Sequence, residues 1–337
     1  MIKKHRTTTA RETFTGHLLH SGDETGFAHC ALEWLSTFKL DVVKNCTYNN
    51  NYETPVRVHL IPHFQNRPIS EITTSDVQKY FNEKKDELSL ETLKKHKSCL
   101  LSIFDIAVDD GLREKSPMTK RVKISSKIEP LEKRTWTLEQ YKAAWQFAKQ
   151  HKHGLDIMIL METAISRSEL LGLTWANHDS NASCLKLENG LTRAKNPHSG
   201  RQELEHSGLK NKYRKREIPL SKELNALLTL KPHHISTKAG KIPTKYIFHA
   251  PSGCAYAPDN WYKRVLKKFM KDLHEEQPNI PMLTTHELRH TRATLLTHHE
   301  NVDLFSIAEL LGHKDLKMIR ERYVHSDTEA LRRALGF

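Results

Sequence analysis

Two short stretches near the C-terminus decide how this sequence is interpreted. Residues 286–294 read HELRHTRAT, and residues 311–325 read LGHKDLKMIRERYVH. The first stretch places an arginine three positions after a histidine, and the second places a histidine directly after a glycine. A tyrosine flanked by basic residues follows that histidine by ten positions. These groups are a cation, imidazoles and a phenol, which can act in acid–base and nucleophilic chemistry on an anion.

The first stretch also matches the two-histidine zinc motif of metallopeptidases, H-E-x-x-H. In that interpretation His286 and His290 bind zinc, Glu287 is the general base, and Glu309 is a distant carboxylate ligand. With 22 histidines in the chain, a chance match has odds on the order of several per cent. The third metzincin histidine does not follow, and Arg289 would place a cation beside the metal. The zinc peptidase therefore stays as an alternative.

Composition restricts the class of protein. Of the 337 residues, 53 are Lys or Arg and 40 are Asp or Glu, which gives a net charge of +13. Such an excess favours a polyanionic partner, either nucleic acid or an anionic membrane surface. No apolar run approaches the roughly 20 residues that span a bilayer, and no secretory signal follows the basic N-terminus. The five cysteines never form a C-x-x-C pair, which argues against a disulfide framework and fits a reducing compartment.

Apolar periodicity in the first part of the chain predicts a small helical domain. Residues 1–26 are expected to form a basic, loosely ordered extension. Residues 27–112 are expected to form helices that begin near Phe27, at Ser75 and at Ser89, the second with a capping box to Gln78. Residues 113–135 carry many lysines and arginines and two prolines, so we expect an interdomain linker. This linker either follows DNA or faces solvent.

The remainder, residues 136–337, is predicted to be an α-rich domain with a small β insertion. A capping box at Thr137 begins its first helix. Strands are expected at Cys184–Leu187 and Glu217–Leu220, with a long polar stretch between them. A short amphipathic tail helix from Ser326 would pack on its own domain or on a neighbouring subunit.

The sequence resembles the tyrosine recombinase, or phage integrase, family. The family pattern H-x-L-R-H-[ST]-x-A-[ST] is matched by residues 286–294, and the pattern L-G-H, nine residues, Y is matched by residues 311–323. Lys210, nine residues before Pro219, is similar to the family's β-hairpin lysine, with Lys212 as the alternative. The resemblance extends over about residues 27–330, including the core-binding domain expected at 27–112.

One motif departs from the family pattern. The family reads T-G-x-R-x-x-E-L-x-x-L-x-W, whereas residues 163–175 read TAISRSELLGLTW. Ser166 stands at the arginine position, and Arg167 follows it. One position is about 100° of rotation in a helix, so Arg167 reaches the site only if the helix entrance is irregular. The alternative is an enzyme impaired at its first arginine.

The resemblance implies a mainly α fold: an N-terminal helical, SAM-like core-binding domain followed by an α-rich catalytic domain with a small β-sheet or hairpin, the DNA breaking-rejoining enzyme fold. It implies a site-specific recombinase that integrates and excises a phage or other mobile element without metal or nucleotide cofactor. A chromosome-dimer resolvase and a catalytically impaired DNA-binding protein are the alternatives. The implied partners are double-stranded DNA, a homotetramer at synapsis, and accessory DNA-bending or directionality proteins, with no membrane. The implied location is the cytoplasm, on the nucleoid.

The resemblance also implies roles for individual residues. Tyr323 would attack the scissile phosphate and form a 3′-phosphotyrosyl bond. Arg289 and Arg167 would hold the phosphate oxygens, because a planar guanidinium binds two of them at once. The proton transfers would fall to His286, His313 and Lys210. Basic residues expected to contact DNA are Lys94, Lys95, Lys97, Lys123, Lys127, Arg193, Lys212, Arg214, Arg264 and Lys267.

Overall fold

The computed structural model describes residues 24–129, 133–208, 212–298, 300 and 302–312. The N-terminal extension up to residue 23, Lys210, His313, Tyr323 and the tail helix lie outside the described residues. The described residues form two compact units. The first holds the residues up to 129 together with Ala194–Glu203, and the second holds the rest. Helices dominate both, and the sheets are small, so the mainly α fold class is confirmed.

Three of the first unit's helices were expected from the sequence: α1 (Phe27–Phe38), α4 (Thr74–Lys84) and α5 (Leu90–Asp109). Ser89 caps α5, and Gly111, with φ +72°, follows its end. The cap expected for α4 is wrong. Thr73, not Ser75, caps this helix in a box with Asp76. The side chain of Gln78, the expected partner, instead bonds the backbone of Lys123, accepting from its N–H and donating to its carbonyl.

A helical segment between α1 and α4 was missed from the sequence. It contains α2 (Asn45–Thr47), two π-helical stretches (Tyr48–Glu53 and Pro55–Leu60) and α3 (Ile61–Phe64). Its asparagine run and two prolines read as turn signals. Its apolar side chains are nevertheless buried, and the Phe27 and Phe64 rings lie 4.9 Å apart. Tertiary burial therefore overrides the weak helix propensity of this segment.

Much of the expected linker packs on the first unit. Val122 is 2% exposed within the core of this unit, and Met118 and Ile124 pack against that core. Arg113 donates from Nη1 to the carbonyl of Ile69 at 2.6 Å. Residues 113–128 are therefore anchored by apolar side chains that a count of charges overlooks.

The second unit begins with α6 (Leu138–Gln150), whose capping box between Thr137 and Gln140 is confirmed. The helices that follow are α7 (Gly154–Thr163), α8 (Arg167–Gly172), α9 (Lys222–Leu230), α10 (Pro258–Trp261), α11 (Lys267–Glu276), α12 (Thr285–His298) and α13 (Leu304–Leu311). A π-helical turn, Tyr262–Leu266, joins α10 to α11. The helices described in both units are too short or too polar to span a bilayer.

The strands of the described residues form three small sheets, one with three strands and two with two strands each. These strands are β1 (His178–Asp179), β2 (Cys184–Leu187), β3 (Asn189–Lys195), β4 (Gln202–Gly208), β5 (Arg216–Pro219), β6 (His234–Thr237) and β7 (Gly240–Pro243). β2 lies between β1 and β5, with Leu185 opposite Ile218. The strands β2 and β5 were expected from the sequence, and β5 begins and ends one residue earlier than expected. The pairs β3–β4 and β6–β7 were missed because their strands are largely polar and lack a clear alternation.

Helix α7 is the centre of the second unit. Ile157, Met158, Ile159, Leu160 and Met161 are all at most 1% exposed, so this helix is apolar on every side and surrounded by protein. Asp156, in its first turn, accepts a hydrogen bond from Trp261 Nε1 at 2.7 Å. Because α7 is fixed on all sides, the residues that follow it begin from a rigid point.

A buried histidine makes the stability of the first unit sensitive to pH. His96 is 1% exposed, Nδ1 lies 2.6 Å from the Tyr80 hydroxyl, and Nε2 has no hydrogen-bond partner among the described residues. Burial, with nearby positive charge, lowers the pKa of His96 to about 4. The unfolded chain therefore binds a proton first as the pH falls below about 6.5, and stability is lost from there down to about 4.

We expect the free energy of unfolding to fall by about 2 kcal/mol between pH 7 and pH 5 from this group alone. Urea unfolding followed by circular dichroism at both pH values measures it. In His96→Gln, which does not titrate, the difference between the two pH values should shrink. An unchanged pH dependence in that variant would assign the effect to other groups.

Candidate active site

Arg289 joins three parts of the second unit. It lies on α12 and is 5% exposed. Its Nη1 donates to the carbonyl of Ala164 at 2.6 Å, at the end of α7, and its Nη2 donates to the carbonyl of Leu311, at the end of α13. The three motifs found in the sequence, at 163–175, 286–294 and 311–313, therefore meet around one guanidinium.

The turn after α7 is strained. Ala164 ends this helix in the left-handed conformation, with φ +51°, and is fully buried. A side chain in that conformation costs about 1–2 kcal/mol relative to glycine. The family pattern has glycine at this position. The burial of Ala164 and the hydrogen bond that Arg289 donates to its carbonyl help to hold the backbone in this conformation.

Ser166 and Arg167 begin helix α8 differently. Ser166 is the N-cap: its hydroxyl accepts from the Glu169 N–H, and its own N–H donates to Glu169 Oε2 at 2.6 Å. Arg167 is the first helical residue, and its Nη1 donates a long hydrogen bond of 3.5 Å to the carbonyl of Pro258. The guanidinium of Arg167 therefore reaches α10, whereas that of Arg289 reaches the ends of α7 and α13.

A buried carboxylate lies between two arginines that come from β5 and the turn before it. Glu169 is 0% exposed, and its Oε1 lies 2.9 Å from Arg216 Nη1 and 3.5 Å from Arg214 Nη1. Burial raises the pKa of Glu169, but the two arginines and the Ser166 N–H outweigh it and hold the pKa below its usual range. Glu169 is therefore ionised. Neither Glu169 nor Arg216 was among the candidate site residues of the sequence analysis.

Gly312 is required at its position for two reasons. It ends α13 in the left-handed conformation, with φ +62°. A Cβ on this residue would lie 3.0 Å from Arg216 Nη1 and 3.2 Å from Arg214 Cα. Arg216 also donates from Nε to the carbonyl of Leu310 at 2.8 Å. The residue before His313 is thus packed directly against both arginines.

The two histidines of the first motif are neighbours on α12. The rings of His286 and His290 are 4.4 Å apart and nearly perpendicular, with His286 exposed and His290 buried. Glu287, between them in sequence, caps the helix: Oε2 accepts from the Thr284 N–H at 2.8 Å, and Oε1 accepts from the Arg134 N–H at 3.2 Å. Burial raises the pKa of Glu287, but these bonds lower it overall.

The zinc-peptidase alternative is not supported by this geometry. Glu287 accepts backbone hydrogen bonds at the helix N-terminus, so it is occupied in a structural role rather than positioned as a general base. In the part of the chain that the structure describes, no three His, Cys, Asp or Glu side chains are grouped so that they could hold a metal ion. The set His286, His290 and Glu309 is therefore not assembled.

The basic residues expected to contact DNA occupy several environments, and their role stays a prediction. Lys94 and Lys127 form ion pairs with Glu91 and Asp86, at 2.6 and 2.9 Å. Exposed pairs of this kind contribute little to stability and can exchange partners. Arg193 lies 3.8 Å from Asp259, and Lys97 donates a hydrogen bond to the Val122 carbonyl. Lys212 begins a 3-10 turn that ends at Arg214. The remaining four are exposed: Lys95, Lys123, Arg264 and Lys267.

The close packing of Gly312 leads to a stability test. We expect Gly312→Ala to lower the free energy of unfolding by about 2 kcal/mol or more, because it adds both left-handed strain and a contact with Arg216. Gly111→Ala is the matched control: its φ is +72°, close to that of Gly312, but nothing lies within 4 Å of the added Cβ. Thermal unfolding of both variants measures the difference. Equal losses would show that the contact with Arg216 carries no cost.

Comparison with known proteins extends these observations. The phage integrase family model matches residues 134–330, and the phage integrase central domain model matches residues 27–123. A tyrosine recombinase XerC-like protein of Caldanaerobacter subterraneus subsp. tengcongensis is 27% identical over 276 residues, covering 76% of this chain and 68% of the relative. The transposase from transposon Tn916 of Enterococcus faecalis is 23% identical over 273 residues, covering 77% of this chain and 65% of the relative.

Solved structures share the fold. The Tn1549 transposon integrase in complex with a circular intermediate DNA has a TM-score of 0.75 and 19% identity, over 93% of this chain and 99% of that chain. A lambda integrase tetramer bound to a Holliday junction has a TM-score of 0.61 and 16% identity, over 96% and 84%. The core-binding and catalytic architecture expected from the resemblance is confirmed. Because the family model covers more than half of the chain, this protein belongs to the phage integrase family and is a site-specific tyrosine recombinase.

Proposed function

We propose that this chain cuts and rejoins duplex DNA through a covalent bond between Tyr323 and a 3′ phosphate. The observation that carries the proposal is the position of Arg289, which binds the carbonyls of Ala164 and Leu311 and so gathers three motifs at one guanidinium. A preorganised cation is the main requirement for stabilising charge on a phosphate in the transition state. His313 and Tyr323 follow Leu311 in sequence, in the order of the family pattern.

The reaction exchanges one phosphodiester for another. The Tyr323 oxygen attacks phosphorus, the bond to the 5′ oxygen breaks, and the phenolic proton leaves through a histidine, His286 or His313. Lys210 protonates the departing 5′ oxygen. Arg289 and a second cation neutralise the non-bridging oxygens, and Arg167 is the sequence's candidate for that cation. Rejoining is the same sequence in reverse, with a 5′ hydroxyl of another strand as nucleophile.

A phenol suits this reversible step. With a pKa of about 10, it is a better leaving group than a sugar alkoxide, so the intermediate can be resolved without external energy. The phosphotyrosyl bond retains the free energy of the broken phosphodiester. The proposed chemistry therefore requires neither metal ion nor nucleotide.

The biological setting is also a proposal. Two of the similar proteins are named for transposons, which supports integration and excision of a mobile element by this chain as well. The lambda integrase structure is a tetramer bound to a Holliday junction, which supports a homotetramer at synapsis here. We include accessory DNA-bending or directionality proteins and a nucleoid location in the proposal. The chromosome-dimer resolvase and the impaired DNA-binding protein are not favoured by the matches.

Supercoiled plasmid tests the cleavage chemistry without knowledge of the target site. The protein is incubated with plasmid in EDTA and quenched with SDS, and relaxation and protein-linked DNA are measured. We expect both with the wild type, and neither with Tyr323→Phe, because the nucleophilic oxygen is lost.

Tyr213→Phe is the control for this assay. Tyr213 is a 42% exposed phenol that also lies between two basic residues, Lys212 and Arg214. The Tyr213→Phe variant should relax plasmid and form adducts like the wild type. Adducts that persist in Tyr323→Phe, or that are lost in Tyr213→Phe, would contradict the assignment of the nucleophile. Adducts abolished by EDTA would contradict the proposed chemistry.

A further inference from the structure

A serine stands where the phosphate clamp needs an arginine. Ser166 is an N-cap whose side chain and N–H are both committed to Glu169. It carries no charge, so the second cation at the non-bridging oxygens must come from a residue other than Ser166. We propose that Arg214, from the turn before β5, supplies the missing cation to the scissile phosphate in place of the arginine absent from position 166. The inference deepens the proposed cleavage reaction and rests on it.

The carboxylate of Glu169 places Arg214 beside Ser166. Oε2 accepts from the Ser166 N–H at 2.6 Å, while Oε1 lies 3.5 Å from Arg214 Nη1. Because these two oxygens belong to one carboxylate, the Arg214 guanidinium and the Ser166 N–H contact the same small group. Position 166 and the Arg214 guanidinium are therefore neighbours across this carboxylate.

The charges around this carboxylate do not cancel. Glu169 and Arg216 form the close pair, at 2.9 Å, and their side chains are 0% and 4% exposed. This pair is neutral, as a buried ion pair must be to persist. Arg214 is a second cation at a longer distance, and its side chain is 22% exposed. Its charge is therefore in excess and open to the surface, which is the condition for binding an external anion.

The backbone of Arg214 is fixed against the histidine motif. Its carbonyl accepts from Arg216 Nη1 at 2.9 Å. Its Cγ and Cα lie 3.1 and 3.2 Å from the Cβ position of Gly312. Arg289 binds the carbonyl of Leu311, the residue before Gly312. Two guanidinium side chains thus approach the same short segment, which leads directly to His313.

The other arginines nearby fit the role less well. Arg167 Nη1 donates to the carbonyl of Pro258 on α10 at 3.5 Å, so among the described residues its hydrogen bond goes to α10 and not to Glu169. Arg216 is buried and donates to Glu169 and to the carbonyl of Leu310, so it is a positioning residue. Arg214 alone among these three combines surface access with contact to the Glu169 and Gly312 framework.

The test compares single and double variants in the SDS-trapped cleavage assay. We expect Arg214→Ala to slow adduct formation by about 100-fold or more, the usual effect of removing one donor to transition-state charge. Arg167→Ala should lose less. Arg201→Ala, an exposed arginine of the first unit, is the matched control and should cleave like the wild type.

A rescue separates catalysis from folding. Adding Ser166→Arg to Arg214→Ala restores an arginine at the family position. We expect the double variant to form adducts at least tenfold faster than Arg214→Ala. Arg214→Ala should melt near the wild-type temperature, since Arg216 still neutralises Glu169. A structural defect at position 214 would not be repaired by an arginine at position 166.

The outcomes are distinct. Wild-type rates in Arg214→Ala, or a larger loss in Arg167→Ala, would overturn the inference while leaving the cleavage proposal intact. Loss of rate with a large drop in melting temperature and no rescue by Ser166→Arg would also overturn it, in favour of a structural role. Absence of Tyr323-dependent adducts in the wild type would overturn the cleavage proposal, and this inference with it.

Discussion

The carboxylate of Glu169 is the interaction on which the site depends. It is fully buried and receives the N–H of Ser166, the guanidinium of Arg216 and, at longer range, that of Arg214. Helix α8 is thereby joined to β5, and Arg216 extends the connection to the end of α13 through Leu310. Removing one partner of such a pair costs far more than replacing both, because an uncompensated charge is left inside the protein.

Arg289, which we propose binds the phosphate, also has a structural role. Two of its donors are used on the carbonyls of Ala164 and Leu311, at helix ends that would otherwise carry unsatisfied acceptors. In the proposed reaction, the orientation of Arg289 is set before DNA arrives, and little reorganisation is needed when charge develops on the phosphate.

How well the sequence predicts a feature depends on how far apart in the chain the interacting residues lie. Helices with regular apolar spacing, such as α5 and α13, and the local cap at Thr137 were predictable, because the determining residues lie within one or two turns. The family motifs also identified Arg289 as a candidate. The pairing of Glu169 with Arg216 was not predictable, since 47 residues separate them. The polar strands β3 and β6 were missed for want of alternation.

The sharing of one carboxylate by positions 166 and 214 has a consequence for how such chains diverge. An arginine at either position would deliver a positive charge to the same region, so the effects of the two positions are not additive. A lineage can exchange one for the other through an ancestor that carries both, with the second arginine initially redundant. It cannot pass through an ancestor that carries neither and remain active. The order of substitutions, rather than their number, is what this geometry restricts.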